Sequence, residues 1–113
     1  MRMKKNLTMT RGDTYIFTFE IEGLEEGLNT CYFSCKKSAD DDEYTFQKSL
    51  GDGIIQLEVN KYKVRIAPRD THELEVGEYK YDLQIGIGED IYTIMNGPLT
   101  ITKDITEETY EQL

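Results

Sequence analysis

The amino-acid sequence predicts an all-β fold, an immunoglobulin-like antiparallel β-sandwich of about seven or eight strands with Greek-key connections and a tyrosine corner. Apolar and polar residues alternate with a period near two, and turn residues interrupt the alternation roughly every 8 to 15 residues, as in a sandwich or barrel. The 113 residues suit one domain, and 8 Tyr and 4 Phe supply bulky core material. We expect a single domain over residues 1–105 and an acidic tail, frayed or forming a short helix, over residues 106–113.

Strands are predicted wherever the alternation is regular. Phe17 and Phe19 share a face of a strand over residues 14–22, whereas a helix would place them on different sides. The other predicted strands cover residues 6–10, 30–37, 44–50, 54–59, 62–67, 78–87 and 91–102. Whether 54–59 and 62–67 form a hairpin, or one of them is a short edge segment, stays open at this point.

The most informative stretch runs from Asp70 to Asp82. A turn that contains Leu74 and Gly77 leads directly into Tyr79 on a strand, which resembles a tyrosine corner. In that device a Tyr hydroxyl bonds to upstream backbone and anchors the crossover between the two sheets. We expect Tyr79 to take this structural role.

Two segments depart from the strand pattern. Residues 68–76 are expected to contain one helical turn that begins at Asp70 or Thr71, both suitable N-caps. Pro98 interrupts the last strand. Because proline has no backbone N–H, Pro98 should sit at a β-bulge or on the unpaired side of the strand.

The net charge of −9 argues against a nucleic-acid partner, since phosphate binding needs clustered Lys and Arg, and it disfavours anionic membrane surfaces. Solubility explains the acidity best, and a basic partner surface is the alternative. No apolar window reaches the length of a transmembrane helix. Residues 1–5 are basic, but no apolar segment follows them as it would in a signal peptide. The expected location is therefore a cytoplasm, unless the protein leaves it within a larger assembly.

Cys31 and Cys35 are the only cysteines, and on one strand they would lie about 13 Å apart, beyond disulfide reach. They share a face with Phe33, so we expect two small buried hydrophobic residues. The sole histidine, His72, lies in a different, turn-like segment, so a zinc site is not expected.

Two further motifs have ordinary structural explanations. Residues 11–13, Arg-Gly-Asp, match an integrin-binding tripeptide but also suit a turn, which we favour. Residues 40–43 are four consecutive acids that lack the ligand spacing and central glycine of a calcium loop. A solvated loop is favoured for them, and cation binding there stays open.

The inventory of catalytic residues is thin. A nucleophile–base pair would have to use His72, which has no nearby Ser or Cys in sequence. Gly86-Ile87-Gly88 lacks the spacing and the following helix of a phosphate loop. We therefore predict no enzymatic activity and no cofactor.

The order of features along the chain resembles small proteins of phages and prophages of Gram-positive bacteria, in particular the immunoglobulin-like N-terminal domain of phage baseplate upper proteins. The likeness covers most of residues 7–106 and lies in the segments Arg11–Thr14, Tyr32–Lys37, Asp70–Asp82, Tyr92–Ile94 and Gly97–Ile101. It implies a structural tail or baseplate role, with other virion proteins or further copies of the chain as partners.

Baseplate upper proteins continue into long C-terminal parts, whereas this sequence stops at Leu113. The resemblance therefore implies a free-standing module or the product of a small separate gene, and it supplies no active-site residues. The alternative function is a bacterial surface or carbohydrate-binding sandwich that would hold sugars against exposed Tyr such as Tyr32 or Tyr92. The partner, the oligomeric state and the place in a virion are not readable from sequence.

Overall fold

A computed structural model describes residues 2–106, in which the chain forms nine strands and one helical turn. The strands are β1 Met3–Lys4, β2 Leu7–Thr10, β3 Tyr15–Glu20, β4 Thr30–Lys36, β5 Phe46–Leu50, β6 Gly53–Glu58, β7 Lys61–Ile66, β8 Gly77–Ile87 and β9 Asp90–Thr102; the helix α1 is Pro68–Thr71. Eight of the strands lie where the alternation predicts them, and the ninth is the two-residue β1.

The hydrogen-bonded path runs β1-β9-β8-β4-β5-β6-β7-β3, and β2 also pairs with β9. A short parallel pairing, Ser49 with Gly53 and Leu50 with Ile54, joins β5 to β6, so the path curls over into two faces. Across the interior, the Phe17 ring on β3 lies 5.7 Å from the Phe33 ring on β4, although these strands are not paired. The result is a sandwich of a larger sheet (β1, β2, β9, β8, β4, β5) and a smaller sheet (β3, β7, β6).

Most strand pairs are antiparallel, as expected, and three are parallel. β1 and β2 both run parallel to β9, and β5 runs parallel to β6. β6 and β7 form the hairpin that the sequence left open, with Glu58 opposite Lys61. The pairs β4–β8 and β3–β7 join strands that are distant in sequence, which is the Greek-key feature of the fold.

The core follows from the period-two pattern. Cys31, Phe33 and Cys35 alternate with half-buried neighbours along β4 and are at most 1% exposed, as predicted for three residues of one face. The remaining fully buried large hydrophobic side chains are Tyr62, Ile54, Ile66, Leu83, Ile85, Leu99, Ile101 and Val64. Both cysteines are free, so no disulfide joins the strands of the core.

The expected helical turn is present within residues 68–76, but its predicted first residue is wrong. The helical turn begins one residue after Ala67, and Asp70 stands at its third position, where the carboxylate accepts a hydrogen bond from the Ala67 N–H. A bulge at Pro98 is also wrong, because the irregularity in β9 lies at Ile94, between the pairs Leu83–Met95 and Gln84–Thr93. Pro98 takes the other place expected for it, on the side of β9 where neither β1 nor β2 pairs with it. β9 therefore continues without a break from Asp90 to Thr102.

The predicted acidic tail lies almost wholly outside the described residues, and so does the short helix expected to follow Thr106. Within residues 2–106 no helix has the length and apolar character needed to cross a membrane.

Candidate docking surface

The outer face of the larger sheet forms a concave groove of about 910 Å³. Strand alternation produces it, because the odd-numbered side chains of β4 and of β8 from Tyr79 to Ile85 are buried and the even-numbered ones must face outward. The outward residues that line the groove are Tyr32, Ser34 and Lys36 from β4 and Lys80, Asp82 and Gln84 from β8. We call this surface the outer groove.

Two lysines stand side by side on adjacent strands of the outer groove. Lys36 is the direct register partner of Lys80, a placement of like charges that weakens a strand pair. The Lys36 Nζ donates to the Asp41 carbonyl at 2.7 Å and lies 5.2 Å from the centre of the Tyr44 ring. The Lys80 Nζ lies 3.4 Å from the Glu78 carboxylate. These contacts are exposed and leave both ammonium groups accessible to an anionic partner.

The charge of the outer groove is opposite to that of the whole chain. Arg2 and Lys4 line it together with Lys36 and Lys80, whereas Asp82 is the only carboxylate that residues 2–106 contribute to the lining. Burial raises the pKa of Asp82, and the neighbouring Lys36 acts in the opposite direction. In a chain with a net charge of −9, this is a concentration of positive charge on one face.

The floor of the outer groove is polar and partly aromatic. The Gln47 side-chain amide donates to the Ser34 hydroxyl at 2.9 Å, and Tyr32 and Tyr44 supply ring faces. The Asn96 Oδ1 is buried and accepts no hydrogen bond from the described part of the chain. Cations, amides and rings together can hold a chain segment that carries carboxylates beside apolar side chains.

The N-terminal wall of the outer groove is held by contacts between residues far apart in sequence. The Tyr81 hydroxyl donates to the Lys5 carbonyl at 2.7 Å, and the Lys5 N–H donates to the Asn96 carbonyl at 3.0 Å. A Cβ atom on Gly97 would collide with the Lys5 carbonyl oxygen, so glycine lets the two backbones approach. Sequence reasoning missed Tyr81 and Gly97 in this role, because their partner is not a sequence neighbour.

Three of the four residues singled out from the sequence lie together, in the turn before β8 and at the start of that strand. The Tyr79 hydroxyl donates to the Glu75 carbonyl at 2.7 Å, four residues upstream. Leu74 packs against the core, and Gly77 begins β8 with a positive φ of 140°. Pro98 lies apart from them: it lines the outer groove opposite Lys80, between the stretches of β9 that pair with β1 and with β2.

The Arg-Gly-Asp tripeptide is built into a turn. The Arg11 Nη2 lies 2.9 Å from the Asp104 carboxylate, and Nη1 donates to the Leu74 carbonyl at 3.2 Å. The Gly12 N–H donates to the Thr71 hydroxyl at 2.8 Å. These bonds direct the arginine onto its own chain, which favours the structural explanation over adhesion.

The acidic loop is exposed along its whole length, from Asp40 to Glu43. Asp41 accepts a hydrogen bond from the Ser38 N–H at 3.1 Å and so closes a turn. In the range 2–106 no group of three or more His, Cys, Asp or Glu side chains is arranged to hold a metal ion.

No protein-family model matches the chain, and no curated protein matches its sequence. Among solved structures, the immunoglobulin-like domain of mouse leukocyte-associated immunoglobulin-like receptor 1, a strand-swapped dimer, is similar with a TM-score of 0.53 and 14% identity over 87% of this chain and 88% of that one. The extracellular domains of the voltage-gated sodium channel beta4 subunit, solved as parallel homodimers, give a TM-score of 0.50 and 9% identity over 93% of this chain and 96% of that one. At such low identity the likeness shows the fold alone: the chain is an immunoglobulin-like β-sandwich.

Proposed function

We propose that this domain is a non-enzymatic structural or accessory module of a phage or prophage virion, of the tail or baseplate type, and that it works through protein–protein contacts at the outer groove. The observation that carries the docking role is the accumulation of accessible cations there in a chain of net charge −9. The virion setting is supported by the sequence resemblance to baseplate upper proteins.

The chemistry of the outer groove favours an acidic protein segment as its occupant. Lys36 and Lys80 stand directly opposite each other, and a carboxylate placed between them would relieve their repulsion. Tyr32 and Tyr44 add contact area at low cost in side-chain entropy. The polar lining fits an interface that forms between proteins already folded, which is more polar than a domain core.

Cross-linking of purified particles tests this proposal. An amine-reactive reagent applied to induced virions should join Lys36 and Lys80 to another virion protein, whereas Lys63 on the outer face of the smaller sheet should form no such link. Absence of the protein from the particles, measured by mass spectrometry, would contradict the virion role.

Charge reversal tests the docking surface separately. Lys36→Glu with Lys80→Glu should weaken binding to the cross-linked partner at least about tenfold, which is about 1.4 kcal/mol. The matched control is Lys63→Glu with Arg65→Glu, which makes the same change of charge on the smaller sheet. Equal loss of affinity in both double variants would show that net charge, and not the outer groove, governs the contact.

A second candidate is carbohydrate binding, which the aromatic ring of Tyr32 beside the amides of Gln47 and Gln84 favours. Tyr92, the other tyrosine considered from the sequence, is 45% exposed but lies outside this lining. A glycan array probed with the native protein and with Tyr32→Ala decides the case. Retention of a glycan signal that Tyr32→Ala removes would support it, and a blank array would exclude it.

A further inference from the structure

The smaller sheet ends in an edge strand with one side free. β3 is the last strand of the hydrogen-bonded order, and it pairs with β7 through six consecutive residue pairs without a register shift. Within residues 2–106 no strand pairs with its other edge, since both N-terminal strands lie along β9 instead. The outward backbone groups of β3 are therefore available to another strand.

Edge strands usually carry features that prevent pairing with another chain, such as lysines, prolines or bulges. β3 has none of these: it is a regular strand of Tyr-Ile-Phe-Thr-Phe-Glu, and its only charged residue, Glu20, stands at its end. In a chain in which 31% of residues are charged, residues 14–19 form a neutral strip suited to self-contact.

The inward side chains of β3 are incompletely covered. Phe17 and Phe19 face the core, where Phe17 packs on Phe33 and Phe19 stacks on Tyr62 at 5.6 Å, yet both stay only half-buried. On the outward face Ile16 is 51% exposed. A strand added beside β3 would cover apolar area on both faces at once, and this area supplies the driving force for association.

We propose that the occupant of this edge is β3 of a second copy of the chain, in an antiparallel pair related by a two-fold axis at Phe17. Opposed residues must share a face of the sheet, and this register places Tyr15 opposite Phe19 and Ile16 opposite Thr18. Aromatic rings then meet on the inner face, Glu20 lies opposite Thr14, and no like charges are opposed. The contact is isologous and closed, and it joins two smaller sheets into one continuous sheet.

This pairing is independent of the proposed virion role, because it uses the smaller sheet and leaves the outer groove open. Sedimentation velocity of the full chain over a range of concentrations should show a reversible monomer–dimer equilibrium. Ile16→Glu with Thr18→Glu places carboxylates opposite carboxylates in the proposed register. Within the chain the new carboxylates face Arg65 and Lys63 on β7, so the variant should keep its fold and weaken the dimer at least about tenfold. The control, Ile55→Glu, changes an apolar residue of similar exposure (45%) on the outer face of β6, where its register partner is also Lys63, and should leave the equilibrium unchanged.

Amide hydrogen exchange identifies the strand involved. Protection of residues 15–20 should rise with protein concentration in the native chain and not in the double-glutamate variant, while circular dichroism shows that both are folded. A native protein that stays monomeric, or a dimer that the double-glutamate variant leaves intact, would overturn the proposal. So would protection of β3 that is the same at every concentration, since it would mean that the chain covers its own edge.

Discussion

Tyr79 and Tyr81 are neighbours on one face of β8, and their hydroxyls hold different parts of the chain. Tyr79 donates to the Glu75 carbonyl in the turn just before the strand, and Tyr81 donates to the Lys5 carbonyl near the N-terminus. Both rings are 4% exposed, so each side chain combines core packing with one directed hydrogen bond. The first bond stabilises the crossover between the sheets, and the second holds one wall of the outer groove.

Tyr79→Phe tests the hydrogen bond of the crossover without removing the ring. The change leaves the partly buried Glu75 carbonyl without its donor, so we expect the free energy of unfolding to fall by about 1 to 2 kcal/mol. Tyr92→Phe is the matched control, because Tyr92 is 45% exposed, and its effect should stay within about 0.5 kcal/mol. Chemical denaturation measures both, and equal effects would contradict a special role for the Tyr79 hydroxyl.

We expect Asp82 to lower the stability of the folded chain at neutral pH. Burial raises its pKa above the ordinary value of 3.8, so the folded state resists ionisation of this carboxyl more than the unfolded state does. Stability linked to Asp82 is thus fully present below the unfolded pKa and is lost as pH rises through the folded pKa.

Asp82→Asn should therefore stabilise the protein at neutral pH. We expect a small gain in the free energy of unfolding near neutrality that vanishes in acid, where the native carboxyl is protonated as well. Thermal melts of the two proteins as a function of pH provide the measurement. A gain of the same size at every pH would mean that packing, and not ionisation, explains the difference.

At the scale of elements, one buried ion pair ties the crossover helix to the larger sheet. The Lys48 Nζ on β5 lies 2.8 Å from the Asp70 carboxylate on α1, with side chains only 5% and 12% exposed. The same carboxylate oxygen accepts the Ala67 N–H at 2.7 Å. Asp70 thus closes the first turn of α1 and neutralises a lysine in the interior.

A double-mutant cycle measures this pair. Asp70→Asn keeps an acceptor for the Ala67 N–H but leaves the Lys48 ammonium buried without a counter-ion, so we expect a loss of about 3 kcal/mol. Adding Lys48→Met removes the unpaired charge, and the double variant should recover much of that loss. Additive effects in urea denaturation would show that the two groups do not interact.

β9 shows where local sequence reasoning fails. Pro98 is a visible signal, so a bulge there or an unpaired side of the strand was expected. Pro98 takes the unpaired side, in the gap between the two N-terminal strands, and does not disturb the pairing with β8. The extra residue is Ile94. It shifts the alternation of inward and outward side chains by one residue, so that Met95, Leu99 and Ile101 lie in the core. No residue near Ile94 marks the bulge, because its cause is the match between a strand and a core formed by distant segments.

At the scale of the whole molecule, the strands were predictable and their partners were not. The alternation of apolar and polar residues along one segment indicates which face of that strand is buried. For this reason β4 and β8 could be predicted from the sequence. Pairing of Leu7 with Leu99, or of β4 with β8, depends on the closure of loops between distant segments. The same holds for the outer groove. The sequence of each strand shows which of its polar residues face outward. That these residues come together, and that Arg2 and Lys4 form a wall beside them, follows only from the pairing of distant strands.

The core as a whole should respond to alkaline pH. Burial raises the pKa of Cys31 and of Cys35 from the ordinary 9.0 to about 12, and that of Tyr81 from 10.0 to about 12. The folded state holds these protons more tightly than the unfolded state, so the linked stability is fully present below the unfolded pKa values and is lost as pH rises toward 12. We therefore expect the free energy of unfolding to decline steadily above about pH 9.

The cysteines can be separated from every other alkaline titration by comparing two proteins. The double variant Cys31→Ala and Cys35→Ala loses packing, so it should be less stable than the native chain by a constant amount below about pH 9. Above that pH only the native protein loses stability through its two buried thiols, because they ionise more readily in the unfolded state. The difference in the free energy of unfolding between the two proteins should therefore shrink as pH rises. Denaturant unfolding in reducing buffer at a series of pH values provides the measurement. Curves that stay parallel into strong alkali would contradict the raised thiol pKa values and would imply that water reaches the centre of the sandwich.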